Sequence, residues 1–186
     1  VTVGFDGART RDSTGLVVVG VESGLVVPWG CWQRPPHLPD DAHWEVPEDD
    51  VNAAVADIFE RFTVWRFYGD PPYWQDAIRR WSGEYGERKV IEWWTNRQRA
   101  TAYACKTLAT AIETGNLSHN GDPELAAHIA NSRRKALSIR DEDGAPLWRI
   151  EKARPDSPHK IDLVLCLVFA REALGDALAS GALHRD

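Results

Sequence analysis

Hydrophobic periodicity changes along this chain, and the resulting order of strands and helices restricts its fold more than any single motif does. Val1–Phe5 alternates as a strand does, with apolar odd-numbered residues and an even-numbered face that ends in Asp6. A β-branched run follows at Leu16–Val21, and a Glu-Ser-Gly turn segment leads from it into a third strand, Leu25–Gln33. Three consecutive strands joined by short turns predict an antiparallel meander.

After the meander the apolar spacing becomes helical, and helices then alternate with strands. We predict helices over Pro47–Phe62, Pro71–Tyr85, Gln98–Glu113, Leu125–Lys135 and His159–Leu178, and further strands over Val64–Tyr68, Lys89–Trp94, Ala136–Arg140 and Leu147–Lys152. The last two strands flank Asp143-Gly144, a dipeptide typical of hairpin turns. The chain therefore closes with a hairpin followed by a long apolar helix.

This order is similar to that of the ribonuclease H-like fold. The fold class we expect is α/β: a five-stranded mixed sheet flanked by helices, with an added β-hairpin before the last helix. Its first three strands are antiparallel, and strands 4 and 5 run parallel to strand 1. A length of 186 residues suits one domain, so we expect residues 1–186 to form a single unit. Because methionine is absent and the chain starts directly with a strand, we expect it to be a fragment of a longer protein.

Composition excludes some classes of protein. No segment approaches the roughly 20 apolar residues that cross a bilayer, and the start lacks the features of a signal peptide, so we expect no membrane partner. Cys31, Cys105 and Cys166 are far apart and predict buried thiols in a reducing compartment rather than a zinc site. The net charge of -6 does not indicate nucleic-acid binding unless positive charge is concentrated on one face.

Three aspartates stand where this topology brings different elements together. Asp6 follows the first strand, Asp70 follows the fourth, and Asp162 begins the apolar part of the closing helix. The fourth strand would pair parallel to the first, so their carboxyl ends would be neighbours, with the closing helix packed over them. We therefore predict that Asp6, Asp70 and Asp162 form one cluster of catalytic, metal-binding carboxylates.

Each aspartate also has a purely structural interpretation. Asp6 precedes a glycine, a common turn dipeptide, and Asp70 precedes two prolines, which suits a helix N-cap. Asp162 begins a helix that is apolar on nearly every side and therefore buried, where a carboxylate needs a partner or a cation. Lys160 is one possible partner. The joint placement of the three aspartates favours the functional interpretation.

Carboxylate clusters of this kind bind hard divalent cations. Mg²⁺ and Mn²⁺ prefer oxygen ligands and usually take only a few carboxylates. Two such ions about 4 Å apart can activate a water and stabilise the leaving oxygen of a phosphodiester. We expect Asp6 to bridge two ions, with Asp70 and Asp162 each holding one of them.

Three motifs in order carry a resemblance to the nuclease domains of phage large terminase subunits. They are Val3-Gly4-Phe5-Asp6-Gly7-Ala8 with Asp12-Ser13-Thr14-Gly15-Leu16, then Asp70-Pro71-Pro72-Tyr73-Trp74, then His159-Lys160-Ile161-Asp162. Together with the element order, the resemblance spans nearly the whole chain. It implies a metal-dependent endonuclease that cuts concatemeric double-stranded viral DNA during genome packaging, in the cytoplasm of the infected bacterial host.

The resemblance also implies partners. Besides DNA, these are the ATPase domain of the full-length protein, the small terminase subunit and the portal of the procapsid. No GxxxxGK[ST] phosphate loop occurs in this sequence, so the packaging ATPase domain is absent from it. This absence agrees with a domain fragment.

Positive charge is concentrated around the predicted hairpin, where it would lie near Asp162. Lys and Arg that neutralise phosphates supply most sequence-independent DNA affinity. The predicted DNA-binding residues are Arg133, Arg134, Lys135, Arg140, Arg149, Lys152, Arg154 and Lys160. On this hypothesis, replacing Arg133 and Arg134 by alanine weakens DNA binding and its salt dependence. Asp156 and His159 are candidates for a supporting or DNA-side role, and Asp12 for stabilising a turn.

Three alternatives remain open. A junction-resolving nuclease of the same fold also uses an acidic cluster, but it works as a dimer. An actin-like or sugar-kinase-like ATPase shares the fold, although it needs a second domain and a second Asp-Gly phosphate loop. A packaging or interaction module could keep the fold without activity.

Overall fold

The strands and helices form in the predicted order. A computed structural model of the chain describes residues 1–39, 41–154 and 157–181. The elements are β1 (Thr2–Asp6), β2 (Thr14–Val19), β3 (Leu25–Trp32), α1 (Glu48–Arg61), β4 (Arg66–Gly69), α2 (Gln75–Tyr85), β5 (Val90–Glu92), α3 (Gln98–Glu113), β6 (Ser118–His119), α4 (Pro123–Asn131), β7 (Ser132–Arg140), β8 (Pro146–Lys152) and α5 (Asp162–Ala179).

The central sheet has the order β5-β4-β1-β2-β3-β6. β1, β2 and β3 pair antiparallel, whereas β4 is parallel to β1 and β5 is parallel to β4. These directions are the ones predicted from sequence, and the α/β class is confirmed. β1 lies between β2 and β4, so residues at the carboxyl end of β1 have neighbours from both of these strands.

The predicted strand count of five was wrong, because β6 adds a sixth strand. β6 has only two exposed residues, Ser118 and His119, and pairs parallel to the start of β3 through Leu25 and Val26. A polar segment this short carries no alternating pattern. It is a strand only because the loop after α3 runs along the edge of the sheet.

Helices cover both faces of the sheet, which explains why β2 is apolar on both sides. Its residues alternate between two cores: Leu16 and Val18 belong to one, and Val17 and Val19 to the other. The first core is completed by α1 and α2, and the second by α3, α4 and α5. In α5, eleven residues are buried, in accordance with its apolar sequence.

The hairpin before α5 is confirmed, but one boundary was wrong. β7 and β8 form a separate antiparallel pair, and the turn places Gly144 at φ 81°, which glycine adopts readily. The helix predicted over Leu125–Lys135 ends at Asn131, and β7 begins at Ser132. The basic run that follows is therefore in a strand, because it pairs with β8 rather than continuing the helix.

No helix in the described part of the chain combines the length and the hydropathy that crossing a bilayer requires.

Candidate active site

The three predicted aspartates line one cleft at the carboxyl end of β1. Asp6 is the last residue of β1, Asp70 follows the last residue of β4, and Asp162 is the first residue of α5. The cleft has a volume of about 690 Å³. Asp70 and Asp162 are largely buried, with 7% and 6% of their surfaces exposed, whereas Asp6 is partly exposed. The structure thus brings together all three predicted residues.

The small and polar face of β1 lies directly under α5. Thr2 Oγ1 donates a hydrogen bond to the Ala170 carbonyl oxygen at 2.8 Å. A Cβ atom on Gly4 would lie 2.6 Å from the Ala170 nitrogen and inside the Cys166 carbonyl. The helix can approach this closely only because Gly4 has no side chain.

This close approach sets the position of Asp162 over Asp6. A strand rises by about 6.6 Å over two residues, and a helix rises by about 6 Å over four residues. Every second residue of β1 can therefore lie opposite every fourth residue of α5. Burial raises the pKa of the Cys166 thiol, and the charge of Asp6 raises it further, so Cys166 lies close to Asp6. One helical turn earlier, Asp162 lies close enough for its charge to act on Asp6.

Asp70 is placed by the parallel pairing of β1 and β4 and then oriented by a threonine. The Asp70 N–H donates to the Phe5 carbonyl oxygen at 3.1 Å, which makes Asp70 the direct neighbour of Asp6. Thr95 Oγ1 donates to Asp70 Oδ2 at 2.8 Å, and the Thr95 N–H donates to Oδ1 at 3.3 Å. Helix α2 begins only at Gln75 with no side-chain cap, so the N-cap interpretation of Asp70 was wrong.

Asp162 is held by residues from two other elements. Ser13 Oγ donates to Asp162 Oδ2 at 2.6 Å. The next residue, Leu163, donates its N–H to His128 Nδ1 at 3.0 Å, so His128 supplies an acceptor for one of the backbone N–H groups that have no partner within the helix at its start. Lys160, the partner considered from sequence, pairs with Asp12 instead, at 3.1 Å. A hydroxyl therefore orients the Asp162 carboxylate, and no ammonium group of the described residues pairs with it.

The electrostatics of the cluster disfavour ionisation without a cation. Burial raises the pKa of Asp6 well above its ordinary value, and the charges of Asp162, Asp70 and Asp12 raise it further. Burial also raises the pKa of Asp70, although the hydrogen bonds from Thr95 oppose this effect. Each carboxylate oxygen has two lone-pair sites, so one hydrogen bond leaves capacity for a ligand bond. Hard oxygen donors with mutual repulsion are the donor set that a divalent cation fits.

Asp12 lies in the same cleft, where it joins the hairpin to the start of α5. It pairs with Lys152 of β8 and with Lys160. Burial alone would raise the pKa of Asp12, but hydrogen bonds and charge from the two lysines lower it. Asp12 is therefore a bridge between segments rather than the turn-stabilising residue expected from sequence.

The eight predicted DNA-binding residues separate into groups. Lys135, Arg149 and Lys152 line the cleft, where Glu151 pairs with the first two. The others lie elsewhere: Arg133 and Arg134 beside a groove between the hairpin, α3 and α4, Arg140 next to the hairpin turn, Arg154 exposed after β8, and Lys160 against Asp12. His159 is exposed, and Asp156 lies outside the described residues.

Sequence reasoning missed the residues that support the cluster: Ser13 and Thr95, which orient the carboxylates, and His128, which holds the start of α5. All three contact the cluster or its helix from distant parts of the chain. Thr95 is itself held by Thr101, whose Oγ1 donates to the Thr95 carbonyl oxygen at 3.0 Å. The only local signal is that Ser13 and Thr95 are hydroxyl residues in turn segments close to strands.

A second cluster lies behind Asp162, where donor atoms of Cys31, Glu124 and His128 are within 4.8 Å of one another. Burial raises the pKa of the Cys31 thiol, and Glu124 accepts a hydrogen bond from Gln33 at 2.9 Å. A metal on His128 Nε2 would need a proton on Nδ1, which already accepts the Leu163 N–H. We therefore interpret this cluster as a polar network that holds the start of α5.

Sequence comparison finds phage relatives. No protein-family model matches the chain. It is 29% identical to the Gene 13 protein of Mycobacterium phage L5 and 30% identical to that of Mycobacterium phage D29, in each case over 97% of this chain. The chain spans about 30% of the length of these relatives.

Structural comparison finds terminase nucleases. The large terminase nuclease of thermophilic phage G20c with bound magnesium matches with a TM-score of 0.62 and 17% identity, over 92% of this chain and 79% of that chain. The large terminase nuclease domain of Thermus phage P74-26 matches with a TM-score of 0.62 and 15% identity, over 91% and 76%. The g2p nuclease domain of bacteriophage SPP1 with bound manganese gives 0.50 and 13%, over 92% and 84%. The chain therefore has the ribonuclease H-like fold of the phage large terminase nuclease domains.

Proposed function

We propose that this chain is a metal-dependent DNA endonuclease domain that cuts double-stranded viral DNA during genome packaging. The observation that carries the proposal is the cluster of Asp6, Asp70 and Asp162, which come from three elements and line one cleft together with three cations. The fold of the terminase nucleases and the phage origin of the curated relatives support the same function.

The carboxylates would hold Mg²⁺ or Mn²⁺. The solved nucleases of G20c and SPP1 contain bound magnesium and manganese, respectively. In this chain the donor set of three carboxylates fits such ions, and a bound cation would offset the burial and the mutual repulsion that raise the pKa of Asp6. The proposal includes two ions, which would lower the pKa of an attacking water and stabilise the leaving oxygen.

The chain's own residues bind and orient the substrate and the carboxylates. Ser13 fixes Asp162 and Thr95 fixes Asp70, so both carboxylates keep one orientation. Lys135 and Arg149 would bind DNA phosphates beside the cluster. Their ion pairs with Glu151 would be replaced by these contacts. The cations thereby compensate locally for the net charge of -6.

We further propose that the chain is one domain of a longer large terminase. The chain's 30% share of the curated relatives' length supports this assignment. The partners would then be the packaging ATPase domain, the small terminase subunit and the procapsid portal. Cleavage of concatemeric DNA would take place in the cytoplasm of the infected host.

The test is cleavage of supercoiled plasmid in Mn²⁺, Mg²⁺ or EDTA. We expect nicked and linear DNA with either metal and none in EDTA. Asp70→Ala removes one carboxylate of the cluster and should abolish cleavage. The matched control is Asp76→Ala, because Asp76 is an acid outside the cleft, on the neighbouring helix α2.

Two results would contradict the proposal. Cleavage that persists in EDTA would exclude metal dependence, and equal cleavage by Asp70→Ala and the parent would exclude the carboxylate cluster. A folded parent that cuts with neither metal would instead favour a packaging module without activity. Preferential cutting of branched over linear duplex would favour a junction-resolving nuclease.

The positively charged residues of the hairpin lead to a separate prediction about DNA binding. The double variant Lys135→Ala/Arg149→Ala should weaken binding and reduce the slope of log K against log salt by about 1.8, since each lost phosphate contact contributes about 0.9. From sequence, the double variant Arg133→Ala/Arg134→Ala was expected to weaken binding and its salt dependence. Both residues lie outside the cleft, so this variant, which removes the same charge from the same hairpin, is now the control. The salt slope, measured by fluorescence anisotropy on duplex DNA, should be unchanged for this control. Equal slopes for the two double variants would remove the cleft cations from the proposed DNA track.

A further inference from the structure

Two adjacent aromatic residues in the loop between β4 and α2 differ in their exposure to solvent. Trp74 is fully buried in the core, whereas 76% of the Tyr73 surface is exposed. No other large hydrophobic side chain of residues 1–39, 41–154 and 157–181 is exposed to this extent. Tyr73 also lines the cleft that contains Asp6, Asp70 and Asp162. An aromatic ring is therefore presented to solvent at the rim of the proposed active site.

The backbone at Tyr73 is unusual. Its φ is 64°, and among the described residues it is the one non-glycine residue with a positive φ. This left-handed conformation is unfavourable for bulky side chains, because the Cβ atom crowds the following carbonyl oxygen. It allows the chain to direct Trp74 into the core while Tyr73 stays outside. Such a conformation persists only where surrounding contacts hold it.

Those contacts come from Arg9, in the loop after β1. Arg9 Nε donates to the Tyr73 carbonyl oxygen at 3.0 Å. The Arg9 guanidinium lies 4.0 Å from the centre of a Trp74 ring and pairs with Glu48 at 2.8 Å. Trp74 Nε1 in turn donates to the Ala8 carbonyl oxygen at 3.2 Å. These contacts hold the loop backbone and Trp74, whereas the Tyr73 ring remains exposed to solvent.

We propose that Tyr73 is a DNA-contacting residue whose ring packs on the nucleotide next to the cleaved phosphate. This inference rests on the proposed function. The cleft cations Lys135, Arg149 and Lys152 suit phosphates. An uncharged aromatic ring instead suits a sugar, or the face of a base that is unstacked beside the cut, and such packing tolerates any sequence. Tyr73 lies three residues after Asp70 and lines the same cleft as the carboxylates, so the nucleotide that it contacts would lie close to the reacting phosphate.

The test separates the ring from the backbone. Tyr73→Gly and Tyr73→Asn remove the ring, and both new residues tolerate a left-handed φ. The 186-residue chain should therefore melt at the same or a higher temperature in Tyr73→Gly. Its affinity for a fluorescein-labelled duplex in Ca²⁺ should fall between about fivefold and about 150-fold, the range for one stacked base. Tyr73→Phe keeps the ring and should bind within about twofold of the parent.

Tyr103→Ala is the matched control, since Tyr103 is an exposed tyrosine on α3, outside the cleft. Its DNA affinity should be unchanged. The inference is overturned if Tyr73→Gly and Tyr73→Asn bind DNA as the parent does. It is also overturned if Tyr73→Phe loses as much affinity as Tyr73→Gly, because the ring would then contribute nothing. Failure of the proposed function is distinguishable, because the parent chain itself would then neither bind nor cut DNA.

Discussion

Asp6→Asn is expected to reduce metal-dependent DNA cleavage by at least about 1,000-fold, which corresponds to about 4 kcal/mol of transition-state free energy. Asp6 is the central carboxylate of the cluster, since it is the last residue of β1, which pairs with β4 and lies under α5. Asparagine keeps the size of the side chain but removes its charge and one anionic ligand. The two remaining carboxylates would then bind the ions too weakly and in the wrong place. Asp162→Asn should have a similar effect on cleavage.

The same change should make the metal-free protein more stable at neutral pH. The pKa of Asp6 is raised well above its ordinary 3.8 by burial and by the charges of Asp162, Asp70 and Asp12. The folded protein therefore binds this proton more tightly than the unfolded chain does. The free energy of unfolding contributed by Asp6 is greatest below 3.8 and is lost as the pH rises through the folded pKa. An asparagine side chain at this position has no proton to lose, so the variant should not show this loss.

Two measurements check this prediction together. Plasmid cleavage in Mn²⁺ gives the activity, and urea unfolding in EDTA across a pH series gives the stability. Asp49→Asn is the control, because it makes the same charge change in the first turn of α1, outside the cleft. Wild-type cleavage by Asp6→Asn would contradict the assigned metal site, as would a metal-free variant less stable than the parent at neutral pH.

Gly4→Ala is expected to destabilise the protein by about 3 kcal/mol or more, at the upper end of what overpacking costs. The new Cβ would lie 2.6 Å from the Ala170 nitrogen and inside the Cys166 carbonyl, so it meets backbone that cannot rotate away. Helix α5 would have to move off β1. That movement would also separate Asp162 from Asp6, so any folded protein should cut DNA poorly.

The control for Gly4→Ala is Gly175→Ala in the same helix α5. A Cβ at Gly175 meets nothing within 4 Å, so alanine should stabilise the helix by about 0.5–1 kcal/mol. Urea unfolding of both variants gives the comparison. A Gly4→Ala protein as stable as the parent would show that the close packing of α5 on β1 does not position Asp162.

The alternation of β1 was sufficient to predict which of its faces would carry the aspartate. Apolar Val3 and Phe5 belong to the core on one side, while Gly4 and Asp6 lie on the side of α5. The parallel pairing of β4 then places Asp70 beside Asp6, because carboxyl ends of parallel strands share one edge. This is why the carboxylate cluster could be predicted without coordinates.

The supporting hydrogen bonds could not be predicted in the same way. Ser13 reaches Asp162 across 149 positions, and Thr95 reaches Asp70 across 25. Locally, both hydroxyl residues are typical of turns, and nothing in their neighbours indicates a carboxylate partner. Such contacts depend on how α5 and the loop after β5 pack onto β1 and β4.

The strand conformation of the basic segment from Ser132 to Lys135 could not be predicted from the sequence either. Charged residues have no hydrophobic period, so the segment was predicted as the end of a helix. Its strand conformation is determined by pairing with β8. The Arg134 guanidinium also stacks on Trp148, with its carbon 4.4 Å from the centre of the ring. The pairing also decides which cations line the cleft, and charge clustering along the chain could not separate Lys135 from its two neighbours.

The position of bound manganese would show directly whether the three aspartates form a metal site. Crystals of the chain grown or soaked with Mn²⁺ would be measured for anomalous scattering from the ion. We expect a peak among the carboxylates of Asp6, Asp70 and Asp162, and its loss in Asp6→Asn. Manganese bound only at Cys31, Glu124 and His128, or a fully ordered carboxylate cluster without any peak, would contradict this expectation.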